Sequence, residues 1–333
     1  MGIFRDSVTP ASGAWPWTKA VRTGGAVSLG FGVFAAAGYL PQAVLCAAFA
    51  NLLSFLDFEG RIQERLTVIS GGAVAIAGAA ALGTIAASSE ALVVAGILIV
   101  GAAIGLLTGS PRYLDLIARQ ALIGFIVGAY LPQIDITALP SGALGAALVL
   151  SAAALDHARR GPAVPAGAAA APPPPGSPSI RFAACYAAAA ALGFLLADQL
   201  GATRPFWVTL TTLVVMLPDR RASALRAIQR VLGTTLGVLA ALAVTSGAAA
   251  LGSSALPITV ILVLPFLWPL AMTRHQPLGV ALLSAWILVL IDQAQASPDS
   301  AYTLSLARLS DTVIGCAFAV AGTFVAYWPR RSE

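Results

Sequence analysis

The sequence predicts an all-α, polytopic membrane bundle of about twelve transmembrane helices in two parallel-related halves. Three observations carry this. Hydrophobic residues fill 58% of the 333 positions and charged residues 10%, and the mean hydropathy of +0.86 exceeds what a solvated domain surface carries. Apolar runs close to the roughly 20 residues that cross a hydrocarbon core recur along the whole chain. The cations gather between those runs, in alternate loops. In lipid every backbone N–H and C=O must be bonded internally, so such runs become helices or a closed barrel, and the period-two alternation of a barrel is absent.

In order, the runs of the first half lie at 20–38, 41–56, 66–87, 91–109, 116–132 and 138–155, broken by charges, prolines and turn residues. Those of the second half lie at 181–199, 205–217, 231–250, 256–272, 277–291 and 304–328. Between them "RRGPAVPAGAAAAPPPPGSPS" is proline-rich and reads as an extended linker outside the bilayer. The organisation is therefore 1–158, a first and degenerate transmembrane half; 159–179, a cytoplasmic linker; and 180–333, a second transmembrane half. The N-terminus has no short apolar core before a small-residue cleavage site, so the first run reads as an anchor.

With the N-terminus placed in the cytoplasm, all but two of the 19 lysines and arginines fall on that side. Arg204 lies outside and Arg308 within a run. The excess of Lys and Arg in cytoplasmic loops orients membrane proteins. This predicts a multi-pass membrane protein with both termini cytoplasmic. It also accounts for the net charge of +5 without a nucleic-acid partner. Trp207, Trp328, Tyr39 and Tyr327 sit near run ends, where interfacial aromatics are expected.

The halves resemble each other. The stretch from "AVRTGG" to "QERLTVISGG" runs parallel to that from "SIRFAA" to "QRVLGTTLG", pairing Arg22 with Arg181, Pro41 with Pro205 and Arg65 with Arg230. This is the arithmetic of a parallel repeat about an axis along the membrane normal. One likeness conflicts with it: "YLDLIAR" ending at Arg119 and "YTLSLAR" ending at Arg308 would lie on opposite faces.

Absences exclude function classes. The only lysine is Lys19, so no GxxxxGK[ST] loop exists for nucleotide phosphates. His157 and His275 stand in separate loops, and Cys46, Cys185 and Cys316 sit singly in apolar runs, which leaves no material for a metal site, a disulfide framework or a nucleophile–base pair. No GxSxG elbow occurs. The chain reads as a non-enzyme without cofactor or metal. Small residues at four-residue spacing, Gly24-Ser28-Gly32, Gly101-Gly105-Gly109, Gly124-Gly128, Gly233-Gly237 and Gly315-Ala319, predict close helix packing.

Two motifs could carry chemistry. In "RAIQRVLGTTLG", Arg226, Arg230 and Thr234 share one helical face, either as a functional array or as arginines snorkelling at a helix end. In "YTLSLARLSDTVIGCAFAVAGTFVAYWP", Arg308 falls inside the hydrocarbon, where an arginine costs about 2.5–3.5 kcal/mol or more and must face protein or water with a partner. Asp311 and Thr312, three and four residues on, are in reach. The group is either an anion or proton site or a structural helix lock.

"PFW" opening a run, a basic loop, "QRVLGTTLG", and "ARLSDTVIG" before a tryptophan–proline end resemble the FUSC family, the bacterial fusaric-acid-resistance and aromatic-acid-exporter group, which is also similar to plant aluminium-activated malate transporters. The resemblance covers about residues 180–329; in the first half "QERLTVISGG" keeps only the arginine and a glycine pair, and "YLPQAV" has no "PFW". It implies a secondary transporter or exporter of small organic, including aromatic, acid anions, with Arg230 and Arg308 as the motif arginines. The substrate-binding set expected is Arg308, Asp311, Arg230, Thr234 and Thr312. The partners expected are an organic anion and the lipid bilayer, with a homo-oligomer left open and no nucleic acid. A passive anion channel and a non-transporting membrane scaffold are the alternatives.

Overall fold

A computed structural model describes residues 7, 9–10, 13–108, 113–130, 139–161, 180–202, 204–294 and 298–328. Among them stand twelve helices: α1 (Trp17–Ala36), α2 (Leu40–Ser54), α3 (Ile62–Ala86), α4 (Glu90–Leu107), α5 (Leu114–Tyr130), α6 (Leu139–Arg160), α7 (Ile180–Gln199), α8 (Phe206–Val215), α9 (Arg220–Leu251), α10 (Ala255–Arg274), α11 (Gln276–Ala294) and α12 (Pro298–Ala326). The described residues hold no strand, and the molecule is a polytopic helical bundle. Gly109 and nearly all of the predicted linker lie outside the described residues.

Each helix answers to one predicted run, with two corrections. The basic loop between the eighth and ninth runs is helical, forming the first turns of the 32-residue α9. Asp219 caps it by accepting from the Ala222 backbone N–H at 2.6 Å, and the Arg, Ala, Leu and Gln that follow are strong helix formers. The eighth run yields only ten helical residues. At 1.5 Å per residue α8 reaches about 15 Å, half of a hydrocarbon core. Eight helices, α3, α4, α6, α7 and α9 to α12, are long and apolar enough to cross a membrane, whereas α2 and α8 are shorter apolar helices. Large aliphatic side chains such as Val74, 74% exposed, face outward as lipid contact requires.

The packing repeats with an offset of six helices. α1 packs on α2 and α6, α2 on α3 and α6, α3 on α4, α5 and α6, and α4 on α5; α7 to α12 make the same set among themselves. Between the halves, α4 lies on α7 and α5 on α8, matched by α10 on α1 and α11 on α2. α1 and α7 also end alike. Gly38, at φ 82°, and Gly201, at φ 71°, occupy the left-handed position that favours glycine. In each the next N–H reaches back five residues, Tyr39 to Phe34 and Ala202 to Ala197, both at 2.9 Å, closing a Schellman turn. In this packing the counterpart of α12 is α6, and α5 answers to α11. The likeness of "YLDLIAR" to "YTLSLAR" therefore joins helices that are not counterparts.

The small-residue faces are contact seams. A Cβ on Gly105 would lie 2.5 Å from Ala183 Cα, on Gly128 1.9 Å from the Ala80 carbonyl, and on Gly237 2.5 Å from the Ala281 carbonyl. Gly32 is the exception, with open space beside it.

Apart from Arg204 and Arg308, the described cations that bridge helix ends collect at one end of the bundle. Arg181 at the start of α7 donates to Val325 and Trp328 carbonyls at the end of α12, and Arg220 at the start of α9 donates to Tyr327 O. Arg119 near the start of α5 donates to Leu213 O near the end of α8. Arg274 at the end of α10 stacks on Trp15 just before α1.

Candidate functional site

The half-length α8 is held between α7 and α12. Thr209 Oγ1 donates to Ala190 O at 3.2 Å and Thr212 Oγ1 to Gly315 O at 3.2 Å. Gly315 permits the approach, because a Cβ there would lie 2.6 Å from Thr211 Cβ and 2.7 Å from Val208 O. α8 thus presents its N-terminal turn, with Trp207, to the middle of α12. No side chain caps that turn.

α9 and α12 run antiparallel. From the basic end, Arg220 meets Tyr327, Ser223 meets Thr323 at 3.0 Å, and Ala227 O meets Cys316 Sγ at 3.7 Å. One turn further along α9 stands Arg230, near enough to Cys316 and to Arg308 to interact with both electrostatically, and the two guanidinium groups repel. α9 and α12 therefore bring the two motif arginines together.

Arg308 is 2% and Arg230 8% exposed, so both are removed from lipid and bulk water. The Arg308 guanidinium carbon lies 3.9 Å from the centroid of the Trp207 ring, a cation–π stack. Trp207 is thus not the interfacial aromatic its place at a run end suggests. It is 6% exposed, because α8 stops half-way and carries it inward.

The expected Arg308–Asp311 ion pair is not formed. Asp311 is buried and attracts Arg308 from beyond contact distance, but its Oδ2 and Arg308 Nη1 each have no hydrogen-bond partner. Thr312 does not reach the guanidinium either, since its hydroxyl donates to the Arg308 carbonyl at 2.7 Å, one turn back. Arg230 Nε, Thr234 Oγ1, Thr211 Oγ1 and Trp207 Nε1 are buried and equally unpartnered. Unmet donors in a dry interior are costly, about 1–3 kcal/mol each and more when charged. Two guanidinium groups, two hydroxyls and an indole N–H on α8, α9 and α12 are thus without partners, and they are donors of the kind an anion site uses.

Sequence reasoning misses Trp207, Thr211 and Cys316 as members of this group. The signal was present in "PFWVTLTT", where Trp207 and Thr211 stand four apart on one helical face. Arg204, in the turn before α8, has its guanidinium pKa lowered by burial.

A family model described as fusaric acid resistance protein-like matches residues 185–322. Over these residues the second half of the chain is similar to that family. The FUSC segment contains all of α8 to α11 and most of α7 and α12, and so both motif arginines and their aromatic and hydroxyl neighbours. No curated protein and no solved structure matches the chain. Family and apolar helices together mark a membrane transporter or exporter.

Proposed function

We propose that the protein is a secondary transporter that exports small organic acid anions, aromatic carboxylates among them, across the inner membrane. The observation that carries this is the pair of buried arginines, Arg230 and Arg308, which repel one another and have no ion-paired acid. A carboxylate entering between them would supply the missing countercharge, and forked guanidinium donors match its two oxygens. Trp207 offers a ring face that orients Arg308 and can stack on an aromatic acid. With no nucleotide loop in the chain, the driving force is the proton gradient or the anion's own gradient. Asp311, close to Arg308 yet free of it, is the group placed to carry a proton.

The halves act as a parallel repeat, 1–158 and 180–333, joined by a cytoplasmic linker at 159–179. The basic end of the bundle faces the cytoplasm, with both termini. A strain lacking the gene should be hypersensitive to one or more members of an organic-acid panel, and plasmid-borne Arg308→Ala should not rescue it. Equal sensitivity to every acid would count against export. Reporter fusions at Gly167 and after Glu333 should give a cytoplasmic signal, and a periplasmic signal at either would overturn the topology.

A further inference from the structure

The buried pair is the inner end of a longer series of cations. Arg226 lies one turn of α9 nearer the basic end than Arg230, about 6 Å along the axis. Arg119 is close enough to Arg226 for the two to repel, as Arg226 is to Arg230 and Arg230 to Arg308. Every ion pair between described residues lies elsewhere, joining Arg22, Arg65 and Arg160 to Asp57, Glu59 and Asp156. Four arginines therefore follow one another from the basic end to the middle of the bundle with no ion-paired acid among the described residues. Arg119 Nη1 donates to Tyr186 Oη at 3.1 Å and to Leu213 O, with its guanidinium carbon 5.6 Å from the Tyr186 ring centroid. In the amide orientation that satisfies both its ends, Gln276 accepts from Arg226 Nη1 at 2.9 Å. Asp115, one turn before Arg119, makes no ion pair with it.

Arg119 stands on α5, in the first half and outside the matched residues 185–322. It reaches this series because α4 and α5 pack across on α7 and α8. We propose that Arg119 and Arg226 form a second anion station, on the basic side of the Arg230–Arg308 site, at which the transported carboxylate first loses part of its hydration. The first half thereby contributes a binding residue to a pathway otherwise built from the second. This rests on the anion-transport reading above. Cations lining a narrow low-dielectric path raise the local anion concentration and the on-rate, by 10-fold or more. They do so most strongly at low ionic strength.

The test is benzoate uptake into proteoliposomes against concentration, at low and at physiological ionic strength. Arg119→Gln and Arg226→Gln should each raise the half-saturating benzoate concentration by about tenfold. The maximal rate should stay within about a factor of two, and the salt dependence of the parent should flatten. Arg119→Lys, which keeps the charge but not the fork, should retain most of the parental affinity and guards against a folding defect in the glutamine variant. Half-saturation unchanged in both glutamine variants, while Arg308→Ala still abolishes uptake, would overturn the station and leave the transport reading standing. A parent that carries neither benzoate nor chloride would overturn both.

Discussion

The two halves bury arginines in opposite ways. In the first, Arg22 donates through Nε to Asp57 at 2.7 Å, through Nη1 to Asp156 at 2.6 Å and through Nη2 to Glu59 at 3.1 Å. Arg65 donates twice to the other Asp57 oxygen, at 3.0 and 2.8 Å. Asp57 is thus clamped between two guanidinium groups at the basic end, where the α2–α3 turn meets α1, α3 and α6. In the second half Arg230 and Arg308 lie deeper and have no such carboxylate. A buried charge whose partners are saturated serves the fold. A buried charge left open in a membrane interior costs stability, and in the proposed function the anion supplies the missing countercharge. The same helix packing therefore carries a closed ionic clamp in one half and two arginines without an ion-paired acid in the other.

The largest effect should come from breaking the clamp. Asp57→Ala leaves Arg22 and Arg65 buried side by side, and removing one member of a buried ionic group costs about 3–5 kcal/mol. Thermal unfolding followed by size-exclusion chromatography in detergent should show a large loss of folded protein, whereas Arg308→Met should unfold close to the parent. If the two variants lost stability equally, the distinction between clamp and site would fail. A smaller effect is expected at the seam between the halves, where Gly105→Leu would drive a side chain into Ala183 on α7. Overpacking of this kind costs about 1–3 kcal/mol and should lower the unfolding temperature, while Gly32→Leu, beside open space, should not. The smallest is at the ring under Arg308. Trp207→Phe keeps a face with a weaker quadrupole, a change of up to about 1 kcal/mol, and should raise half-saturation for benzoate a few-fold without changing the unfolding temperature.

Much of this fold is legible in the sequence because lipid leaves a long apolar run little choice but helix, and the charges between runs mark the ends. The Arg230 and Arg308 motifs stand out because a cation in an apolar run needs a reason. Other features depend on tertiary partners. Periodicity shows that Gly101 and Gly105 form a close-packing face, but not that the face meets Ala187 and Ala183 across the halves. That crossing is what brings Arg119 to the second half. The spacing from Arg308 to Asp311 and Thr312 suggests a local pair, yet Trp207, a hundred residues upstream in sequence, takes the guanidinium instead. Asp219 converts an apparent loop into helix through one hydrogen bond, a matter of local geometry that hydropathy does not report.

The central claim is that Arg308 holds an anion and does not merely lock helices. Arg308→Met combined with Asp311→Leu removes both charges at once, so a structural lock would be replaced by apolar packing at little or no loss of stability. Reconstituted in liposomes beside the parent and Arg308→Lys, this double variant should insert and unfold like the parent yet show no benzoate uptake, while the lysine variant retains weak uptake through its remaining charge. Uptake by the double variant at the parental rate would contradict the account and make Arg308 a helix lock.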